Sequence, residues 1–274
     1  MAASDFLTGR PRILSSLWTG LNPALLAKFY PLKRNNDGGW SQSTDVRQIS
    51  EADSYSVDDG FEVHAPITDG TSELSANWHS PFEGAGAESQ APTISAMLQS
   101  GSLTPQLQAL FGIHGDDAKA GSSGVQNLLN QAQGRTGITK LNSTQVFNGM
   151  PPVKLSLTLH FRALLDPISE VRDPIMQLKQ WALPAYLASD SVVAGALKNG
   201  TNQSPLETIF PSVAPQIIGM RYGDLNYQPL VIESVSDPLT VPRDSSGAMI
   251  ACTVQITLGT LTALDRRDIQ TIYL

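Results

Sequence analysis

Residues 153–162 read VKLSLTLHFR, and this alternation constrains the chain more than any other stretch. Val153, Leu155, Leu157, Leu159 and Phe161 share one face, while Lys154, Ser156, Thr158, His160 and Arg162 share the other. Side chains of a strand alternate sides, so the pattern predicts a half-buried strand, apolar inward and polar outward. Pro151 and Pro152 cannot donate to a ladder and set its start. Asp166–Pro167 ends it with turn chemistry. Further on, Asp173–Pro174 has the form of a helix opening, an N-cap carboxylate followed by proline at the first helical position. Ile175, Leu178 and Ala182 recur at helical spacing with Trp181 beside them, and Pro184 stops the run. The centre of the chain is therefore expected to be a strand, a turn and an amphipathic helix whose apolar stripe lies on a sheet.

The remaining segments extend this β-rich reading. Gly (22) and Pro (18) are plentiful in the 274 residues, which favours turns and strands over long helices. Residues 1–50 are expected to form an N-terminal arm, with Asn22–Pro23 capping a short helix through Tyr30 that Pro31 closes. Trp18, Phe29, Tyr30 and Trp40 fall in this arm, either as packing of a small core or as a docking surface for a partner. Residues 51–274 are expected to form one β domain, with a loop and helical insertion at about 84–140. Within it, Asp58–Asp59–Gly60 predicts a hairpin between SYSV and FEVH. Gly223–Asp224 predicts a turn between two strands, and Asp244–Gly247 a turn before the long strand AMIACTVQITLGTL. The tail LDRRDIQTIYL suggests a short last helical turn.

Charge and motifs narrow the chemistry. The net charge of −7, with no Lys/Arg run beyond two residues, speaks against a general nucleic-acid-binding surface. No run of 18 apolar residues predicts a membrane-spanning helix, and the first residues lack the apolar core of a secretory signal. The single cysteine, Cys252, shares a strand face with Val254, Ile256 and Leu258 and is expected to be buried and inert. His64, His79, His114 and His160 lie in separate segments without metal-ligand spacing. The Asp58–Asp59 pair lacks the oxygen count of a calcium loop. No nucleophile elbow or phosphate loop occurs. Glu73, Glu83, Asp166 and Glu233 are the carboxylates that an acid–base enzyme would draw on, but nothing in their spacing singles them out. The expectation is no catalytic residue, no cofactor and no metal.

Three groups of segments carry a family resemblance. They are NWHSPFE at 77–83, STQVFNGMPPVKLSLTLHFR with the following DPIMQLKQWALP at 173–184, and QPLVIESVSDPL with the later VQITLGTL. Together they resemble structural proteins of the tail tube and baseplate of contractile-tailed bacteriophages (myoviruses). The matching positions are Trp78, Ser80, Pro81, Phe82 and Glu83; Gln145, Phe147 and Gly149; Asp173, Pro174, Gln177, Leu178, Trp181, Ala182, Leu183 and Pro184; and Pro229, Leu230, Ile232, Ser234 and Val235. The resemblance implies a mainly β (α+β) fold, a tail-tube-like β-sandwich or partial barrel with a flanking helix. In it the Gln145–Gly149 strand would pair with the Val153–Phe161 strand. It implies a non-enzymatic virion subunit, made in the host cytoplasm, at the junction of tail tube and baseplate. Copies would form a hexameric ring that contacts neighbouring tube, baseplate and hub proteins and passes DNA without binding it specifically. A cell-wall-degrading or peptidase component of the same machine, or a glycan-binding β-sandwich, are the alternative readings.

Overall fold

The computed structural model describes residues 12–44, 46–48, 56–58, 60–79, 144–187 and 212–273. They fall into two compact units, one made of residues 1–75 and 151–274, the other of residues 76–150. The expected strand is present as β9 (Lys154–Arg162), numbering the strands in chain order. Val153, Leu155, Leu157, Leu159 and Phe161 are all buried, while Lys154, Ser156 and Arg162 are exposed. On one side β9 pairs with β6 (Phe61–Glu73) and on the other with β12 (Ala251–Thr260), both antiparallel. From β12 the ladder continues to β11 (Leu225–Ser236), β10 (Ile218–Tyr222) and β2 (Leu26–Arg34), and β2 pairs back onto β6. Six strands thus close into a barrel, in the order β6-β9-β12-β11-β10-β2. The fold is mainly β, as expected, and of the two forms expected, β-sandwich or partial barrel, the single sheet that closes on itself is the barrel kind. Closure removes most free edges. Two short strands extend the sheet beyond the closure: β1 (Arg12–Ser15), parallel to β6, and β3 (Trp40–Gln42), antiparallel to β2.

The barrel interior is the core. Phe29, Val63, Leu159, Phe161, Ile218, Leu230, Val254 and Leu258 have at most 0% exposure and come from all six strands. At roughly 25 cal/mol per Å² of apolar surface, such side chains are each worth about 1.5–3 kcal/mol when buried. Cys252 is buried on the same face as Val254 and Ile256, as its spacing predicts.

The described part of residues 1–50 does not form a separate arm. Asn22 caps only a 3-10 turn, Pro23–Leu25, through its side chain on Ala24 N (3.0 Å). The chain then enters β2, a barrel strand with Ala27 and Phe29 fully buried. Pro31 ends no helix here, because it sits inside a strand. Leu32 N donates toward β10, to Ile217 O at 2.8 Å. The Pro31 nitrogen therefore faces the opposite side, where β2 changes partner from β6 (to Phe29) to β3 (from Leu32), and no donor is needed. The expected Asp58–Gly60 hairpin is also absent: β5 (Ser56–Asp58) pairs with β4 (Val46–Gln48), while β6 joins the barrel. Gly60 ends on other business, its carbonyl accepting from Arg12 N at 2.7 Å. Gly223–Asp224 does form a two-residue hairpin turn between β10 and β11, with Gly223 at φ 60 supplying the conformation that other residues avoid.

In the second unit, β7 (Asn77–His79) pairs with β8 (Val146–Gly149), and Trp78 meets Phe147 edge to face at 5.4 Å. The Gln145–Gly149 strand therefore partners Asn77–His79 and not β9. The expected insertion at 84–140 lies outside the described residues.

The helix starts earlier than Asp173. A π-helical turn, Ile168–Arg172, runs directly into α1 (Asp173–Ala182), so Asp173–Pro174 lies inside the helical run. The capping carboxylate is Asp166, which accepts from Ile168 N (3.1 Å) and Ser169 N (3.2 Å), with Pro167 next in line. The end is as predicted: Leu183 is extended (φ −94, ψ 151) ahead of Pro184. Ile175, Leu178 and Trp181 are buried against the barrel. The helix touches both β6 and β11, which stand across the barrel from each other, and Lys179 bonds Asp237 just beyond β11 at 2.6 Å. It therefore closes the end of the barrel where β9 finishes. A second helix, α2 (Arg266–Ile272), is set by a capping box between Asp265 and Asp268 and packs on β11.

Candidate functional site

With one barrel end closed by α1, the opposite end offers a concave feature among the described residues. A cleft of about 390 Å³ opens there. Its apolar floor is Leu155, Leu157, Met220 and Tyr227, all buried. Its rim is Asp69, Gly70, Thr71 and Ser72 of β6, which are exposed, with Tyr222 and Leu225 of the hairpin opposite. The cleft exists because β6 shifts register against β9 between Ile67 and Asp69 and carries small residues beyond that point. Gly70 leaves room at the rim: a Cβ there would lie 3.0 Å from a Leu157 methyl and 3.2 Å from Ile67, so those side chains would have to give by a few tenths of an ångström.

The outer wall of the same strands is a second surface. Ser156 and Thr158 of β9, Thr253, Gln255 and Thr257 of β12, and Ser234 and Ser236 of β11 present a field of hydroxyl and amide groups. Lys154 lies at one margin, bonded to Glu233 at 2.9 Å. That hydrogen bond first, and the charges of Glu233 and Glu73 after it, push the Lys154 ammonium pKa up. At the other margin the Arg162 guanidinium lies 4.7 Å from the Trp18 ring, whose centroid is 6.1 Å from that of His160.

The carboxylates that an acid–base site would draw on do not converge. Glu73 and Glu233 flank Lys154, whereas Asp166 caps the helix at the far end of β9. Glu83 and His114 lie outside the described residues, as does Asp59. His79 is in the second unit; His64 and His160 sit on different strands of the first, β6 and β9. Among the described residues no three His, Cys, Asp or Glu side chains gather as metal ligands. The Cys252 thiol is pushed up by burial and then by the Asp237 charge, the opposite of an activated nucleophile. Phe29 and Tyr30 are buried in or on the barrel wall, and Trp40 is half-buried in β3 opposite Arg34.

Two arrangements have no counterpart in the sequence reading. On the outer side of β2, Tyr30 donates its hydroxyl to Asn226 Oδ1 (2.9 Å) while its ring lies over Gly219. Beside it Gln42 donates to Glu62 (2.6 Å), and Glu62 pairs with His64 at 2.8 Å. Burial raises the Glu62 pKa, but the bonds from His64 and Gln42 outweigh it and leave the carboxyl below its usual value. These bonds tie β2 to β11 and β3 to β6.

The other is the loop between β9 and the helix. Glu170 is 5% exposed, and its carboxylate accepts from Leu164 N (2.8 Å), Leu165 N (2.9 Å), Asp166 N (3.0 Å) and, more weakly, Leu17 N (3.5 Å). Its carbonyl accepts from Ser16 Oγ at 2.9 Å. Burial raises its pKa, and the ring of backbone donors more than cancels this, so the group stays ionised. The loop so fixed holds Leu164 at 55% and Leu165 at 81% exposure. A glutamate in a first helical turn is commonplace in sequence, so only the fold reveals this one as an anchor.

No protein-family model matches this chain, and no curated protein matches it.

Proposed function

We propose that the protein is a non-enzymatic assembly subunit of a contractile phage tail, forming a sixfold ring at the junction of tail tube and baseplate. The observation that carries this reading is the division of labour in one sheet. Its inner face is a closed apolar core, and its outer face over β9, β12 and β11 is polar, with the charged residues Lys154, Glu233 and Arg162 at its margins. In the ring, that outer face borders the channel. Hydroxyl and amide groups hydrate well but give phosphates no fixed cations. Lys154 is engaged by Glu233, and Arg162 stacks on Trp18, so DNA passes without a specific grip.

The margins of the sheet supply the joints. β1 and β3 each end the sheet, so among the described residues each has an edge with no further strand on it. Such edges invite pairing with a neighbour unless they are covered. Head-to-tail contacts between copies close into a ring when the rotation allows. The sequence resemblance to tail-tube and baseplate proteins supplies the setting; the barrel supplies a subunit suited to it.

The test is electron microscopy of the purified chain and of tails that contain it. Rings with a central channel support the reading. A chain that stays monomeric at all concentrations, or that cleaves peptidoglycan, refutes it.

A further inference from the structure

We infer that the cleft at the open mouth accepts an extended strand of another polypeptide, apolar at alternate positions and basic between them, which adds to the edge of β6 and continues the barrel wall. This goes beyond the assembly reading and does not depend on a ring.

The occupant follows from where β2 begins. β6 and β10 both pair with β2, so along β2 they stand two strand spacings of about 4.8 Å apart. β2 starts at Leu26, opposite Pro66, while β6 runs on to Glu73. Past Pro66 the place of one strand, between β6 and the β10–β11 hairpin, is left open, and the cleft is that place. From Ile67 to Glu73 β6 pairs only with β9, and among the described residues no backbone group of this stretch bonds any other element. In an antiparallel ladder every second residue turns its N–H and C=O to one neighbour, so the residues between aim theirs at the cleft. An unpaired edge beside an apolar floor is the arrangement that captures extended peptides, backbone to the edge and alternate side chains to the floor.

The side chains set the pattern. Leu155 and Leu157 face inward, and their register partners Ser72 and Gly70 share that side, so nothing large on β6 covers the floor. Gly70 has no side chain to hold another backbone off. Thr158 faces outward, and Asp69, its register partner, falls on that outer side. Asp69 is exposed and has no ion pair among the described residues, while Lys154, farther along the ladder, is held by Glu233. An incoming strand thus meets apolar groups with one set of residues and a carboxylate with the other, and opposite charges on neighbouring strands attract.

The test uses the full-length chain and a labelled short peptide of alternating valine and lysine, followed by fluorescence anisotropy. We expect saturable binding, at least tenfold tighter than that of a peptide of the same composition with its valines grouped at one end. N-methylation of alternate peptide amides, in one of its two frames, should weaken binding at least tenfold, because it removes the donors to β6. Ser72→Trp should fill the cleft and weaken binding at least tenfold with the denaturation midpoint unchanged. Asp69→Lys should reverse the preference between the valines from lysine to glutamate. No saturable binding, equal binding of the grouped peptide, or indifference to N-methylation in both frames overturns the inference with the wild-type chain alone, so a Ser72→Trp variant that fails to fold does not rescue it. Wild-type affinity in folded Ser72→Trp, or an unchanged preference for lysine in Asp69→Lys, overturns it too. The ring is read separately, from the mass of the chain without peptide.

Discussion

Glu170→Ala removes the acceptor that organises the loop between β9 and α1, and its cost can be worked from the geometry. Three backbone donors lose a charged partner at 2.8–3.0 Å and a fourth loses a weaker one at 3.5 Å. A hydrogen bond to a charged group contributes about 1.5–3 kcal/mol, and a neutral one about 1 kcal/mol. The loop is at the surface, so water replaces part of what is lost. Counting about 1 kcal/mol for each of the three short bonds gives a net destabilisation of about 3 kcal/mol. Urea unfolding with linear extrapolation measures it.

The sign of the pH dependence is also determined. The folded-state pKa of Glu170 is lowered, so its contribution is complete above the unfolded-state value and fades as pH falls through the folded-state value. The gap between wild type and Glu170→Gln should be largest near neutral pH and shrink once the pH drops below about 4, the unfolded-state carboxylate range. A loss below about 0.5 kcal/mol for Glu170→Ala, or a gap that widens in acid, would show that the carboxylate is not the anchor of the loop; the threshold is the usual range of neutral surface substitutions.

Other consequences are checked more simply. Leu159→Asp places an unpaired charge at a fully buried barrel position and should prevent folding, read as loss of soluble protein with native circular dichroism. Leu157→Asp should be milder, because Leu157 is 8% exposed and borders the open mouth. Gly219→Ala drives a Cβ to 2.5 Å from the Tyr30 ring and should cost about 1–3 kcal/mol in urea unfolding, with the loss reduced when Tyr30 is also changed to Leu. Cys252 should react with a disulfide reagent only after denaturation, giving no titratable thiol in the native chain and one in urea.

Much of the fold is local enough to read from the chain. β9 and β12 alternate cleanly because each has one face on the core and one in solvent, and α1 shows its stripe because Ile175, Leu178 and Trp181 meet one surface. The end of α1 and the Gly223 hairpin follow from proline and glycine chemistry. β2 was obscured by its own composition: residues 24–30 carry alanines and leucines at helical spacing, and Pro31 mimics a helix stop. Its alternation of Ala27 and Phe29 is too short to outweigh this, and the barrel that decides the matter is closed by the distant pairing of Phe29 with Val63. The hairpin expected at Gly60 failed for the same reason, since β6 has better partners far along the chain than the adjacent β5. The candidate surfaces were harder still. The mouth and the Glu170 anchor each join residues from separate elements, such as Leu17 with Leu164, and no spacing in the sequence announces them.

The most direct measurement of the central claim is the mass of the purified chain in solution as a function of concentration, paired with images of the largest species. The account predicts a closed particle of six times the 29.4 kDa chain mass, seen end-on as a ring with a channel. A single 29.4 kDa species at every concentration, inside the range where tails assemble, would contradict it.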